Sequence, residues 1–199
     1  MKKSIIFILV STLCIETSFA QTDYLSEGNN YLHQEKYGQA EKTFREAIKS
    51  DTSNTIYKCQ LALALLNQEK YTDAQTVLET VLSRDTANVG ALWYAGMNNF
   101  QNKTGDLRKA IVYFEKTLLY INKNSGQYFS GNWFIGRSYH ILLQKDGLSY
   151  DEVSRMLECY SIYLHLQPNA DDAGNISSFV EHIRGIRPPE NVKKWVNKS

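Results

Sequence analysis

Four histidines, two cysteines beyond the N-terminal segment and two adjacent carboxylate pairs are the groups with which this chain could do chemistry. His33, His140, His165 and His182 could in principle ligate a metal or move a proton. They are distant from one another in sequence, and no two share the one-turn spacing that places paired ligands on one helix face. Asp151-Glu152 and Asp171-Asp172 could serve as acid–base pairs, yet each stands at an expected helix start, where carboxylates stabilise the exposed backbone amides. The chain has no paired-cysteine metal motif, no Gly-rich phosphate loop ending in Lys-Ser or Lys-Thr, and no Gly-x-Ser-x-Gly elbow. We therefore expect no catalytic residue, no metal and no cofactor. The chemistry of this chain is expected to be binding.

The elements that must present such a binding surface are bounded by composition. A chain of 199 residues with 43% hydrophobic content has room for one domain or a short repeat array and is not disordered. Lys and Arg number 22 against 21 Asp and Glu, so no global field draws the protein to nucleic acid or to an anionic membrane. Thirteen tyrosines, eight phenylalanines and three tryptophans supply large side chains for packing or contact.

Residues 1–20 read as a signal peptide: Lys2 and Lys3, the apolar run Ile5 to Val10, then Ser18-Phe19-Ala20 with small residues at both recognition positions. Cleavage after Ala20 would remove Lys2, Lys3 and Glu16 and leave 20 basic and 20 acidic residues. The apolar stretch is too short for the roughly 20 residues of a spanning helix, so no membrane insertion is expected after removal. Leu13 stands before Cys14 where a lipoprotein acceptor has a small residue. The expected location is periplasmic.

Beyond that segment the sequence repeats. Gly28, Ala62 and Gly96 are 34 residues apart, and Gly136 follows 40 later. The same offset relates Glu35-Lys36-Tyr37 to Glu69-Lys70-Tyr71, Ala40 to Ala74, Phe44 to Leu78, Ala47 to Val81, and Asp51-Thr52 to Asp85-Thr86. Apolar residues inside each unit follow helical spacing, with Gly38 at the expected turn of the first unit, so two amphipathic helices per unit are predicted.

These residues resemble the tetratricopeptide repeat family, in which aromatic, Leu-Gly and Tyr positions on one helix are coupled to Ala, Phe and Ala on the next. Tyr24, Gly28, Tyr31, Ala40, Phe44 and Ala47 fit that pattern closely in the first unit. Leu61-Ala62, Leu65, Ala74, Leu78 and Val81 repeat it in the second, Ala95-Gly96, Ala110 and Phe114 in the third, and Ile135-Gly136, Tyr139, Met156, Tyr160 and Pro168 in the fourth. The third unit carries two extra residues, assigned to the polar run Asn102 to Asp106. The fourth carries eight, assigned to the region of Lys145-Asp146-Gly147.

The resemblance implies an all-α superhelical solenoid of about four hairpins, over 21–54, 55–88, 89–124 and 129–170. A C-terminal capping helix comes next at 171–187, carrying Ile176, Phe179 and Ile183 on one face. A polar tail, expected to fray, completes the chain at 188–199.

The resemblance also implies a concave groove lined by fixed positions of the first helices. Carried over, these are Leu25, Asn29 and His33; Cys59, Leu63 and Asn67; Trp93 and Met97; and Trp133, Arg137 and His140. Asn29, His33, Asn67, Trp93, Met97, Trp133, Arg137 and His140 are the candidate ligand-binding residues. A shift of one position in register would bury both tryptophans, so groove and core placement are both open. Arg137 is more readily read as a solvated or salt-bridged surface residue than as a ligand anchor. Asn29 and Arg137 are similar to the family's clamp for a terminal carboxylate, but Leu25 and Trp133 occupy the places of its lysines.

The expected partner is another protein or an extended peptide; the alternative is a carbohydrate or small ligand stacked on the tryptophans. Cys59 and Cys159 fall on helices of the second and fourth units. Helices packed about 8–10 Å apart separate them beyond the about 7 Å that a disulfide spans, so two free buried thiols are expected.

Overall fold

The computed structural model describes residues 23–197, and the signal-peptide expectation lies outside them. Among the described residues there are nine helices and no strand. They are α1 (Tyr24–His33), α2 (Tyr37–Ser50), α3 (Thr55–Leu66), α4 (Tyr71–Leu82), α5 (Val89–Gln101), α6 (Leu107–Leu118), α7 (Gly126–Lys145), α8 (Tyr150–Leu166) and α9 (Ala173–Ile186). Consecutive helices pack on one another, and α1 to α8 form four hairpins stacked into an all-α solenoid that α9 closes.

Local chemistry starts each unit. The side chains of Asp23, Asn54, Asn88 and Ser125 accept backbone amide hydrogens at the N-termini of α1, α3, α5 and α7. α8 opens with a reciprocal capping box between Ser149 and Glu152. α2 and α4 have no such side-chain cap and begin directly after a tight turn. In those turns Lys36 N–H donates to Tyr31 O and Lys70 N–H to Leu65 O, both at 2.9 Å, while Glu35 and Glu69 take left-handed φ values of 58° and 57°. The turn residue is thus Glu35, and Gly38 lies one turn further on, within α2.

Each hairpin closes through a small residue on its first helix and a large one on its second. A methyl group at Gly28 would lie 2.3 Å from Phe44 Cζ, one at Gly96 2.7 Å from Phe114, and one at Gly136 2.8 Å from Tyr160. Ala62 and Leu78, both fully buried, occupy the same places in the second unit. The periodic small residues therefore mark positions where the helices touch closely enough that a ring covers backbone.

The position three residues before each small residue packs toward the following unit. Cys59 approaches Asn88 (3.7 Å from Sγ to Oδ1), Trp93 meets Phe134 edge-on, and Trp133 donates to Asp172. Ion pairs tie the second helices across units: Glu41 accepts from Lys70 at 2.7 Å, and Arg155 grips Glu115 with two bonds of 2.7 and 2.9 Å. The thiols of Cys59 and Cys159 are free and buried, as expected.

The fourth unit departs from the sequence expectation. Its first helix begins at Gly126 rather than at 129, and its extra residues lengthen α7 to 20 residues and α8 to 17 instead of forming a long loop. The described part of the tail, to Asn197, is held against the domain. Arg187 stacks over the Tyr150 ring at 3.7 Å and donates to Tyr150 O. Leu148 and Trp195 then exchange two backbone hydrogen bonds of 2.8 and 2.7 Å, and the Trp195 ring packs on the main core cluster. An aromatic residue with an apolar edge to cover explains why this polar-looking segment is held.

Gly96→Ala should lower stability by about 1–3 kcal/mol, because the fully buried Phe114 ring cannot withdraw freely. Gly185→Ala, whose methyl would meet nothing within 4 Å, should raise it by about 0.5 kcal/mol. Chemical denaturation of both variants checks the contrast.

Candidate functional site

α7 and α9 run side by side, and the same offset of 39 residues pairs their facing side chains. At one end Trp133 Nε1–H donates to Asp172 Oδ2 at 2.6 Å. At the other, the His140 ring stacks on Phe179 with centroids 3.7 Å apart and planes 11° apart. Between these contacts, Arg137 faces Asn175 and Ile176 across a cleft of about 370 Å³ with Tyr160 also in its lining. Helical spacing on α7 (133, 137, 140) and on α9 (172, 176, 179) puts both stripes on the walls.

The polar groups here have defined states. Asp172 carries no cap bond to α9; its second oxygen accepts from the Tyr163 hydroxyl at 2.7 Å, so it ties α7, α8 and α9 together. That corrects the reading of Asp172 as a helix cap. Burial pushes the Tyr163 phenol up to about 12, helped by the bond to Asp172, and it stays protonated as the donor. Burial, aided by the neighbouring Arg137 charge, lowers His140 to about 4, so the imidazole is neutral at pH 7; its Nδ1 lies 3.3 Å from the Tyr160 hydroxyl. Arg137 is exposed and brings the cationic group to this lining.

A second cleft, of about 340 Å³, lies between α1 and α3. Asn29, His33, Gln60, Leu63 and Asn67 line it, and Gln60 Oε1 is buried without a hydrogen-bond partner. Asn29, Leu63 and Arg137 each follow the small residue of their unit by one position, so the two clefts open on equivalent faces of the stack.

Of the residues expected to bind, Asn29, His33 and Asn67 come together in the α1–α3 cleft, and Trp133, Arg137 and His140 in the α7–α9 cleft. Trp93 lies in neither. It is half-buried, edge-on to Phe114 at 5.4 Å and to Phe134 at 5.9 Å, bridging the third unit to the fourth. Met97 likewise packs against the cores of both halves. Sequence reasoning missed Gln60, Asn175 and the cleft-facing roles of Tyr160, Asp172 and Phe179. The 39-residue step from α7 to α9, which continues the repeat, was the signal that could have found the last two.

Among the described residues no three His, Cys, Asp or Glu side chains cluster to hold a metal. Burial raises the thiols of Cys59 to about 11 and of Cys159 to about 12, far from nucleophilic at neutral pH.

Residues 24–54 match the sequence model described as tetratricopeptide repeat. The first hairpin is thus a tetratricopeptide repeat. Its fold is similar to the crystal structure of MamA protein, with a TM-score of 0.64 and 18% identity over 82% of each chain. It is also similar to YrrB, described as a TPR protein with an unusual peptide-binding site, with a TM-score of 0.58 and 18% identity over 78% of this chain and 73% of that one. No curated protein matches the sequence. The tetratricopeptide match falls on the first hairpin, the unit whose residues sit nearest the family pattern, while the solved structures cover the more divergent units too.

Because the folded protein disfavours the His140 cation, its contribution to stability is intact above the unfolded histidine pKa of about 6.5 and is lost as pH falls toward about 4. His140→Phe, which keeps a ring on Phe179, should remove this part of the loss. Thermal melts of both proteins between these pH values measure it.

Proposed function

We propose that this protein is an interaction scaffold that binds an extended segment of another protein along the face of its first helices, without turnover. The observation that carries the reading is the α7–α9 cleft, where the exposed cation of Arg137 lies between the aromatic walls of Trp133 and Phe179. Apolar and aromatic surface supplies affinity at such sites, and a few polar groups set orientation. The α1–α3 cleft adds what a peptide backbone needs: Asn29, Asn67 and the unpartnered Gln60 oxygen, which can accept an N–H. The described peptide-binding site of YrrB, a similar fold, supports the same reading.

A carbohydrate held between paired tryptophans is less well supported, because Trp93 and Trp133 do not share a cleft and the Trp133 indole N–H is engaged by Asp172. The N-terminal pattern of Lys2, Lys3, the apolar run and Ser18-Phe19-Ala20 supports export and a periplasmic location, with a mature chain that starts at Gln21.

A photo-crosslinking residue placed at Arg137 or at Leu63 should form adducts with a partner peptide in the native cell envelope. One placed at Val112, which is exposed on α6, should not. Mass spectrometry of the adducts reads the result, and equal labelling from all three positions would refute the groove.

A further inference from the structure

A third cleft, of about 450 Å³, opens on the other side of the first two units. By helical spacing, Lys58 and Leu61 sit on the face of α3 turned away from Gln60, Leu63 and Asn67, so this cleft and the α1–α3 cleft are back to back. Its walls come from α2, α3 and α4, and Arg45, Lys58 and Arg84 stand around it with no acidic residue in the lining. Between the cations the surface is apolar: Ile48, Val77 and the buried Leu61.

Apart from the Thr52 hydroxyl, the donors that a ligand would meet are cationic. The hydroxyls of Thr76 and Thr80 are already spent on the carbonyls of Thr72 and Val77, at 3.0 and 2.7 Å. Arg45 uses its Nε for Glu41 at 2.9 Å, which leaves the two terminal amino groups of the guanidinium for a second carboxylate. In a chain whose basic and acidic residues nearly balance, 22 to 21, an all-cationic cleft is a local feature, not a consequence of net charge.

We propose that this cleft docks an acidic segment of a partner protein, a short extended stretch whose carboxylates meet Arg45, Lys58 and Arg84 while an apolar side chain rests on Ile48, Leu61 and Val77. The volume suits a few side chains rather than a folded domain. A polynucleotide fits less well, since no aromatic residue lines the cleft to stack a base. The surface is independent of the α7–α9 cleft and gives the scaffold a second attachment point, on its back.

The test is fluorescence anisotropy of the purified protein with a labelled Glu-Asp-Leu-Phe-Glu-Asp peptide. Saturable binding is expected, weakened several-fold when salt rises from about 50 to about 500 mM. Lys58→Glu with Arg84→Glu should weaken it by about tenfold or more, a loss of about 1.4 kcal/mol or greater. Thr80→Glu, an exposed addition of charge, should act in the same direction. Arg137→Ala should leave it unchanged, which separates this surface from the groove. Circular dichroism confirms that the variants fold. The proposal is overturned by absent binding, by indifference to the charge reversals, by equal binding of a peptide with Gly in place of Leu and Phe, by loss in Arg137→Ala, or by an oligonucleotide that binds this cleft more tightly than the peptide.

Discussion

The contact of a ring against a nearly bare backbone, Phe44 on Gly28, Phe114 on Gly96 and Tyr160 on Gly136, with Leu78 and Ala62 in one buried cluster at the same places of the second unit, is the constraint on which the rest of the architecture depends. It fixes how closely the two helices of a hairpin approach. That distance fixes which faces remain for the next hairpin, and repetition of one geometry turns a row of hairpins into a curved stack. A hairpin alone would leave its apolar face wet, so burial in each unit depends on its neighbour. The polar outer side of α9, with Ser178, Glu181 and His182 exposed, ends the series.

The α7–α9 cleft arises where that regularity is modified. The fourth unit keeps the small–large contact through Gly136 and Tyr160 but lengthens both helices. α9 then stands beside α7 and touches it at two points, Trp133 with Asp172 and His140 with Phe179, leaving a cleft between them. The neutral imidazole of His140 and the Tyr160 phenol, which burial pushes up, keep the interior of this cleft uncharged, so Arg137 and Asp172 supply its ionic character, and each Asp172 oxygen accepts one side-chain hydrogen bond. Arg137 is the exposed cation of this lining.

Much of this was legible in the amino-acid order. The recurrence of Gly28, Ala62, Gly96 and Gly136 and of the Glu-Lys-Tyr triplet fixed helix number, pairing and the small-residue contacts, because steric demands repeat when geometry repeats. Asn29, His33, Asn67, Trp133, Arg137 and His140 came from the same register. Three things did not. Trp93 and Trp133 hold equivalent places, yet their neighbours in the next unit differ, Phe134 for one and Asp172 for the other, and only tertiary contact decides which one borders open space. Asp172 looked like a cap because a carboxylate before a helix usually is one, whereas two side-chain donors outcompeted the backbone amides for it. The tail looked frayed because Lys193 and Lys194 dominate its composition, while a single aromatic ring at Trp195 and two backbone bonds to Leu148 hold it.

A double-mutant cycle on Gly28 and Phe44 tests the founding contact most directly. Gly28→Ala and Phe44→Leu should each destabilise the protein, and together they should cost at least about 1 kcal/mol less than their sum, because the added methyl occupies space the smaller side chain vacates. Additivity within about 0.5 kcal/mol would show that the two residues do not constrain each other and would contradict the account.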